Sequence, residues 1–185
     1  MASSDPPVTA AKDELRRRRI ASRAAMTDAE RERARVAIRA AVLARVESAG
    51  WRCVAAYVPL RTEPGSTDLL AGLTAAGVRV LVPITRPDRD LDWAWWSGSG
   101  PGPALGVSAV RQAQAVLVPA FAVGADGMRL GRGGGSYDRA LPRCAPSAET
   151  AALLYDGECE VQVPAQPWDR PVRAVVTPSG WARLG

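Results

Sequence analysis

Hydrophobic positions between Lys12 and Gly50 recur every three to four residues, a spacing typical of amphipathic helices. A first helical pattern runs from Lys12 to about Arg23. A second begins at Thr27, where Thr27 and Glu30 fit a capping box, and ends before Gly50, a typical C-terminal cap. The pattern therefore predicts two successive helices.

Three later segments are short apolar runs rich in β-branched residues, and each is followed directly by a proline. They cover residues 53–58, 78–82 and 115–118. A short helix, Thr67 to Ala76, is predicted between the first two runs and is closed by Gly77. A strand, helix and strand in this order indicate a right-handed crossover and parallel pairing of two buried strands.

Three more segments complete the predicted sheet. Residues 91–96 alternate in part and are interpreted as an edge strand, and residues 151–155 and 173–177 are two further candidate strands. We therefore predict an α/β fold with a single-domain, open, mostly parallel sheet flanked by helices in a Rossmann-like three-layer arrangement. Residues 11–185 form this domain, and residues 1–10 are predicted to be a mobile tail.

Composition narrows the function. The chain of 185 residues is 47% hydrophobic and 23% charged, proportions typical of a globular protein. It contains neither a secretory signal pattern nor an apolar run of the roughly 18 to 20 residues that span a membrane. We expect a cytoplasmic protein without a membrane partner. Because there is no histidine, histidine-based catalysis and His-ligated zinc are excluded, and a metal here should be a carboxylate-bound hard cation such as Mg²⁺.

The net charge of +5 is concentrated near the N-terminus. Residues 11–50 contain eleven Lys or Arg against six Asp or Glu. Such a segment could contact RNA, a membrane or a polyanionic ligand. Because acidic residues interleave with the basic ones, we interpret it instead as a solvated helix face.

The segment RLGRGGGSYDR, Arg129 to Arg139, is the clearest candidate for chemistry. Its glycines leave a backbone that can turn N–H groups onto an anion, and its arginines carry forked donors suited to phosphate. A helix predicted from Ser136 to Leu141 would point its positive end at the same place. A glycine-rich turn with solvated arginines and an RNA contact are the alternatives. Asp138 opposes RNA binding but suits a Mg²⁺ that bridges nucleotide phosphates.

Three segments of the chain together resemble the 5-formyltetrahydrofolate cyclo-ligases, also called methenyltetrahydrofolate synthetases. The most specific is PAFAVGADGMRLGRGGGSYDRAL, residues 119–141. KDELR at residues 12–16 and YVPLRTEPGS at residues 57–66 resemble the family's N-terminal and substrate segments in the same order. The resemblance extends from Lys12 to Thr177.

This resemblance implies the ATP- and Mg²⁺-dependent cyclisation of 5-formyltetrahydrofolate, with or without a polyglutamate tail, to 5,10-methenyltetrahydrofolate, ADP and phosphate. The formyl oxygen is phosphorylated, and N10 of the same molecule then closes the ring. Such a protein is a ligase that forms a carbon–nitrogen bond, and we expect it to be a monomer that binds no nucleic acid. The rival hypotheses are a related folate or nucleotide binder without turnover and a basic RNA-contacting module.

Carried over residue by residue, the resemblance implies four sets of site residues. Arg132 and Arg129 are the predicted catalytic residues. The predicted ATP-binding residues are Lys12, Arg16, Arg129, Leu130, Gly131, Arg132, Gly133, Gly134, Gly135, Ser136 and Tyr137. The predicted substrate-binding residues are Val58, Glu63, Arg132, Gly133, Gly134, Gly135 and Ser136. Asp138 and Asp169 are the predicted Mg²⁺ ligands.

Each assignment outside the loop has a simpler alternative. Lys12 and Arg16 would be ordinary charges on a basic helix, Glu63 a solvent-exposed turn residue, and Asp169 a loop cap. The tryptophans at positions 93, 95 and 96 could stack on the pterin or benzoyl ring, but tryptophans of buried or edge strands more often serve packing, so they are left out of the site.

The loop also departs from the commonest family pattern at two positions. Ser136 stands where the family usually has a tyrosine, and Gly134 stands where some relatives have a lysine. The first puts a contact to the formyl region in doubt, and the second leaves Arg129 and Arg132 to neutralise the γ-phosphate.

Overall fold

Two long helices open the computed structural model, which describes residues 5–185. They are α1 (Pro6–Ala25) and α2 (Asp28–Ala49). The start of α2 is fixed by a complete capping box, in which the Thr27 hydroxyl accepts from the Glu30 N–H and the Glu30 carboxylate accepts from the Thr27 N–H. Gly50 ends α2 in the left-handed conformation, at φ 65°. Both predicted caps are confirmed.

The start of α1 corrects the predicted tail. The helix already begins at Pro6, so residues 6–10 are helical rather than irregular. Proline suits this position because the first N–H groups of a helix have no intrahelical acceptor, and the ring fixes a helical φ. Residues 1–4 of the predicted tail lie outside the described residues.

Ten strands follow, separated by short helical segments. The strands are β1 (Cys53–Ala55), β2 (Arg79–Thr85), β3 (Leu91–Trp95), β4 (Ala115–Pro119), β5 (Ala122–Gly124), β6 (Arg129–Leu130), β7 (Glu149–Leu153), β8 (Cys159–Glu160), β9 (Ala174–Thr177) and β10 (Gly180–Arg183). The helical segments are α3 (Thr67–Ala75), α4 (Ser136–Ala140) and the 3₁₀ turns Ala109–Gln112 and Leu141–Arg143.

Seven strands form the main sheet, in the order β10-β9-β7-β4-β1-β2-β3. The five inner strands are parallel to one another, and β3 and β10 pair antiparallel at the two edges. The predicted open, mostly parallel sheet with residues 91–96 at its edge is confirmed. Sequence reasoning did not find β10, a partly exposed strand that follows β9 after a tight turn.

The main sheet is buried on both faces because its strands alternate between two cores. Val54, Val80 and Leu117 face α2 and α3, while Leu81 and Val116 face the opposite core. The first face is covered by α2 and α3. The second is covered by α4 and the two 3₁₀ turns, so the predicted third layer is built from short pieces.

A second, three-stranded sheet, in the order β6-β5-β8, lies beneath α1. Leu15 of α1 packs with Phe121, Ala122, Leu130 and Val163 in a small separate core. Strands of two or three residues carry no readable alternation, so the sequence pattern gave no sign of this sheet.

One face of α1 docks on the remainder of the molecule through basic side chains. Lys12, Arg16, Arg19 and Arg23 follow one another at intervals of four, three and four residues, the spacing of a single helix face. All four are half-buried or buried. Their partners, in the same order, are the carboxylate of Asp169, the carbonyl of Gly131 and the carboxylates of Glu160 and Glu158. The expectation of a solvated face is therefore wrong for these residues.

Arg23 makes the most buried of these contacts, with 2% of its side chain exposed. Its Nε and Nη2 each lie 2.7 Å from an oxygen of Glu158, and Nη2 also donates to the Ala120 carbonyl at 2.6 Å. The guanidinium stacks 4.9 Å above the Phe121 ring, and Glu158 accepts from the Tyr155 N–H. Both Glu158 oxygens and two of the three Arg23 nitrogens are thus hydrogen-bonded, which favours the toleration of a buried ion pair.

Among residues 5–185, no helix has the length and apolarity to cross a membrane.

Removing one partner of the buried pair should destabilise the protein strongly. We expect Glu158→Ala to lower the free energy of unfolding by about 3–5 kcal/mol, because the Arg23 charge is left buried without compensation. Denaturant titration followed by far-UV circular dichroism measures the change. Glu14→Ala, which removes the exposed pair with Arg17, is the control and should cost less than about 1 kcal/mol. Equal losses in the two variants would contradict the structural importance of the buried pair.

Candidate active site

A cavity of about 700 Å³ opens at the carboxyl ends of β1, β2 and β4. Parallel strands end at the same edge of a sheet, so the segments that follow them converge there. Tyr57 and Val58 follow β1, Pro83 and Thr85 lie at the end of β2, and Phe121 follows β4. The N-terminal half of α1 and the loop between β6 and α4 form the other wall.

Every residue of the four site sets implied by the resemblance lines this cavity. These residues are Lys12, Arg16, Val58, Glu63, the run from Arg129 to Asp138, and Asp169. The sequence separates them by up to 157 positions, and the fold brings them together. Their individual roles stay predictions.

The glycine-rich loop passes beneath α1 in a conformation that requires glycine. Gly133 has φ 93° and Gly135 has φ 67°, both in the left-handed region. The Arg16 Nε donates to the Gly131 carbonyl at 2.8 Å, and its guanidinium carbon would lie 3.8 Å from a Cβ at Gly133. The loop backbone is therefore held close to a fixed positive charge.

Arg139 does not take part in the site as the sequence suggested. It is absent from the cavity lining. Its Nη2 donates to the carbonyls of Arg89, at 2.8 Å, and Gly134, at 3.0 Å. Arg139 therefore braces the glycine loop from outside instead of offering donors to an anion inside.

Arg129 and Arg132 differ in their freedom to bind a ligand. Arg129 is buried, with 5% of its side chain exposed, and donates to Asp138 at 3.0 Å and to the Arg170 carbonyl. Among the described residues, Arg132 has 59% of its side chain exposed and meets Glu63, with 3.5 Å between Nη1 and Oε1, while its guanidinium lies 6.0 Å from the centre of the Phe121 ring. The guanidinium of Arg129 is thus committed to the protein, whereas that of Arg132 is available to an anion.

Asp138 and Asp169 each use one carboxylate oxygen within the protein. Asp138 Oδ1 accepts from Arg129 and from a backbone N–H, both at 3.0 Å, and Asp169 Oδ2 accepts from the Gln166 N–H at 2.7 Å and from Lys12. Within residues 5–185 the second oxygen of each has no hydrogen-bonding partner. No group of three or more His, Cys, Asp or Glu in this range could hold a metal unaided. Two carboxylates fit Mg²⁺ only if phosphate and water complete its shell, which is common for this ion.

Glu63 is buried, with 5% of its surface exposed, so the alternative of a solvent-exposed turn residue is wrong. Its Oε2 accepts from the Leu60 N–H at 2.8 Å, and its own carbonyl accepts from the Tyr155 hydroxyl at 3.2 Å. The remaining oxygen, Oε1, is the one that lies beside Arg132. Glu63 Oε1 is thus a hydrogen-bond acceptor on a turn that is held by two hydrogen bonds.

Two tyrosines stand beside Glu63, the buried Tyr57 and the partly buried Tyr137. Burial, and secondarily the Glu63 carboxylate, raises the pKa of Tyr57 and of Tyr137 well above the ordinary tyrosine value. Both phenols therefore stay protonated at neutral pH and can serve as donors but not as bases. Ser136, which replaces the usual family tyrosine, lines the cavity next to Tyr137 at the start of α4.

Sequence reasoning missed several residues of the cavity wall. Thr9, Arg23, Gln166 and Trp168 all line it. Thr9 stands one helical turn before Lys12 on the same face of α1. This spacing could have identified Thr9, but residues 1–10 were predicted to be a tail rather than a helix. Gln166 and Trp168 sit in the same short segment as Asp169.

The tryptophan cluster near β3 lies outside the cavity wall, in agreement with its omission from the predicted site. None of the residues at positions 93, 95 and 96 lines the cavity. Trp93 is fully buried in the core, and Trp95 carries the Arg79 guanidinium 3.7 Å above its ring.

The chain matches the model of the 5-formyltetrahydrofolate cyclo-ligase family over residues 8–178. It is 36% identical over 183 residues to a 5-formyltetrahydrofolate cyclo-ligase of Mycolicibacterium smegmatis, an alignment covering 90% of this chain and 93% of the relative. A cyclo-ligase of Escherichia coli is 39% identical over 66 residues, 35% of this chain and 36% of that protein.

Solved structures share the fold. A 5,10-methenyltetrahydrofolate synthetase from Mycoplasma pneumoniae superimposes with a TM-score of 0.79 at 21% identity, covering 90% of this chain and 98% of that one. A 5,10-methenyltetrahydrofolate synthetase from Aquifex aeolicus gives a TM-score of 0.72 at 23% identity, covering 94% and 92%.

The unequal burial of the two loop arginines predicts unequal effects on stability. Arg129→Leu should lower the free energy of unfolding by about 2–3 kcal/mol, because Asp138 and the Arg170 carbonyl lose charge-assisted hydrogen bonds. Arg132→Leu should change it by less than about 1 kcal/mol, since the side chain is exposed. Urea denaturation of both variants measures the difference. A larger loss for Arg132→Leu than for Arg129→Leu would contradict this division.

Proposed function

The chain belongs to the 5-formyltetrahydrofolate cyclo-ligase family, a family of ligases, and we propose that it converts 5-formyltetrahydrofolate to 5,10-methenyltetrahydrofolate at the expense of ATP, with Mg²⁺. The observation that carries this proposal is the 3.5 Å contact between Arg132 and Glu63. This contact brings the glycine loop, which is suited to bind phosphate, next to the buried Glu63 carboxylate, which is suited to accept hydrogen bonds from a heterocycle. Transfer of a phosphoryl group from ATP to a folate requires the two binding sites to be adjacent in this way.

The reaction has two steps, and both are within reach of this cavity. The formyl oxygen attacks the γ-phosphorus of ATP, so that an oxygen–phosphorus bond forms and ADP departs. N10 then attacks the formyl carbon, the carbon–oxygen bond breaks with loss of phosphate, and the N10 proton is released. Because N10 and the formyl group belong to one molecule, ring closure benefits from proximity. Neither step requires histidine.

The nucleotide occupies the wall formed by α1 and the glycine loop. Lys12 and Arg16 offer positive charge from one face of α1, and the residues from Arg129 to Tyr137 wrap the phosphates. Gly131, Gly133 and Gly134 leave the loop without Cβ atoms, so phosphate oxygens can approach its N–H groups. A helix N-terminus at Ser136 adds a small favourable field.

Arg132 and Arg129 serve the phosphoryl transfer differently. Arg132 is placed to neutralise charge that develops on the γ-phosphoryl group, a form of electrostatic stabilisation worth several kcal/mol in other enzymes. Arg129 is a positioning residue, because it holds Asp138 through Nη2 and the segment after Asp169 through Nη1. The predicted pair of catalytic arginines thus divides into one that touches the reacting atoms and one that orients a metal ligand.

Asp138 and Asp169 would hold Mg²⁺ through their unpartnered carboxylate oxygens. When bound, the ion neutralises charge on the triphosphate and aligns the γ-phosphoryl group for transfer. For Asp169 the alternative of a loop cap also applies, because its Oδ2 accepts from the Gln166 N–H. The same residue can do both, since the two tasks use different oxygens.

The folate occupies the opposite end of the cavity. Glu63 Oε1 accepts from the amino and ring N–H donors of the pterin once Arg132 has turned to the phosphate. Val58 and Leu60 are exposed apolar side chains, at 45% and 52%, and offer surface to the flat rings. The glycine loop from Arg132 to Ser136 faces both ligands. The pterin is thus held by one buried carboxylate and apolar contacts, a composition common in pockets for small ligands.

We also expect the protein to be a cytoplasmic monomer that binds no nucleic acid. The absence of nucleic-acid binding is supported by basic side chains that form contacts within the protein. Arg16, Arg23 and Arg129 are occupied by partners inside the protein, so these three guanidinium groups are not free to contact RNA.

The direct test is the appearance of the methenyl chromophore in the near ultraviolet. We expect purified protein to generate it from 5-formyltetrahydrofolate with Mg²⁺ and ATP, with one ADP released per turnover. Omission of ATP, or chelation of the metal, should abolish the signal. Folded protein that gives no chromophore under these conditions would overturn the proposal.

Charge neutralisation by Arg132 predicts a loss of rate without a loss of fold. Arg132→Leu should lower kcat by about 10²–10³, while its unfolding midpoint stays close to that of the unaltered protein. Steady-state kinetics on the chromophore measures the rate. Arg17→Leu, at an exposed arginine outside the cavity, is the matched control and should leave kcat nearly unchanged. A kcat unaffected by the change at Arg132 would remove it from the catalytic group.

A further inference from the structure

Three side chains of the cavity wall are used by no part of the proposed phosphate and folate sites. They are Thr9, Gln166 and Trp168. Resting on the proposed use of ATP, we propose that Gln166 and Trp168 form the nucleobase subsite, and that the Gln166 carbonyl oxygen selects a purine carrying an amino group at position 6.

The position along α1 supports this assignment. Arg16 touches the glycine loop, and Thr9 lies about two helical turns earlier, or roughly 10 Å along the axis. Lys12 stands between them and is joined to Asp169. A nucleotide whose γ-phosphate lies at Arg132 therefore directs its base away from the folate, toward Thr9.

Trp168 offers the stacking surface. Its side chain is 37% exposed and lines the cavity immediately beside Asp169. Among the large exposed apolar side chains of residues 5–185 it is the one aromatic. Bases stack on aromatic rings with useful free energy and little dependence on the identity of the base. Trp168 thus supplies affinity for the base but not the choice between purines.

Gln166 distinguishes between purines because the orientation of its amide group is fixed. The Thr9 hydroxyl donates its single proton to the Asp5 carbonyl at 3.1 Å. Toward Gln166 it can act only as an acceptor, so the Gln166 Nε2 must face it, at 3.1 Å. The carbonyl oxygen of the amide is thereby turned the other way.

That oxygen is buried and has no hydrogen-bonding partner among the described residues. Gln166 as a whole is 7% exposed, and its backbone N–H is held by Asp169 at 2.7 Å. A buried acceptor without a donor costs free energy, which a donor on a bound ligand recovers. The 6-amino group of adenine is such a donor, whereas the 6-oxo group of hypoxanthine would place a second acceptor against it.

The experiment compares ATP with inosine triphosphate, which differs from ATP at position 6. The unaltered enzyme should prefer ATP by about tenfold or more in kcat/KM, and Gln166→Leu should reduce that preference to about threefold or less, because the selecting acceptor is gone. Gln162→Leu, in the same segment but exposed, is the matched control and should keep the full preference. Equal use of both nucleotides by the unaltered enzyme, or an unchanged preference in Gln166→Leu, would overturn the inference.

A second readout needs no turnover. Binding of ADP should change the tryptophan fluorescence of the unaltered protein, and Trp168→Phe should lose that change. Trp168→Ala should raise KM for both nucleotides about tenfold and leave KM for the folate unaltered. If the unaltered enzyme catalyses cyclisation without a preference for ATP, the nucleobase subsite is overturned but the proposed function is not. Failure of ADP to bind and of every nucleotide to support cyclisation would overturn both the subsite and the proposed function.

Discussion

The docking of α1 through its basic face is the interaction on which the site depends. Arg23 is bound bidentately by Glu158 in a buried environment, and Arg16 and Lys12 extend the same face to the glycine loop and to Asp169. The helix contributes one apolar contact of note, Leu15. Its register against the small sheet is therefore set by directional hydrogen bonds, which hold charged side chains more precisely than apolar packing could.

This arrangement explains how a cavity lined by four arginines keeps one of them available to a ligand. Arg16, Arg23 and Arg129 satisfy carbonyls and carboxylates of the protein, while Arg132 projects from the loop with its carboxylate partner, Glu63, at 3.5 Å. The committed guanidinium groups fix the backbone of the loop and the aspartates, and the uncommitted one is left available to a ligand. In such a site most of the positive charge is preorganised before a ligand arrives, so little reorganisation would be needed during the proposed phosphoryl transfer.

The sequence pattern predicted the inner strands and α2 with both caps, because buried parallel strands and capping residues leave local signals. Most of the predicted site residues came instead from the resemblance to the family. The pattern did not predict the start of α1, since Pro6 and Pro7 are also typical of an irregular tail, nor the short strands of the small sheet. It also could not show that Arg129 is buried whereas Arg132 is exposed. The burial of Arg129 depends on Asp138 and on Arg170, which is 41 positions away, and no local pattern carries that information.

The proposed reaction requires that the formyl oxygen becomes an oxygen of the released phosphate. A single turnover with 5-formyltetrahydrofolate labelled with oxygen-18 in the formyl group, followed by phosphorus-31 NMR of the phosphate, measures this directly. Phosphorylation of the formyl oxygen predicts one labelled oxygen in each phosphate released. Unlabelled phosphate formed in step with the methenyl product would show that ATP hydrolysis does not activate the formyl group, and would overturn the proposed reaction.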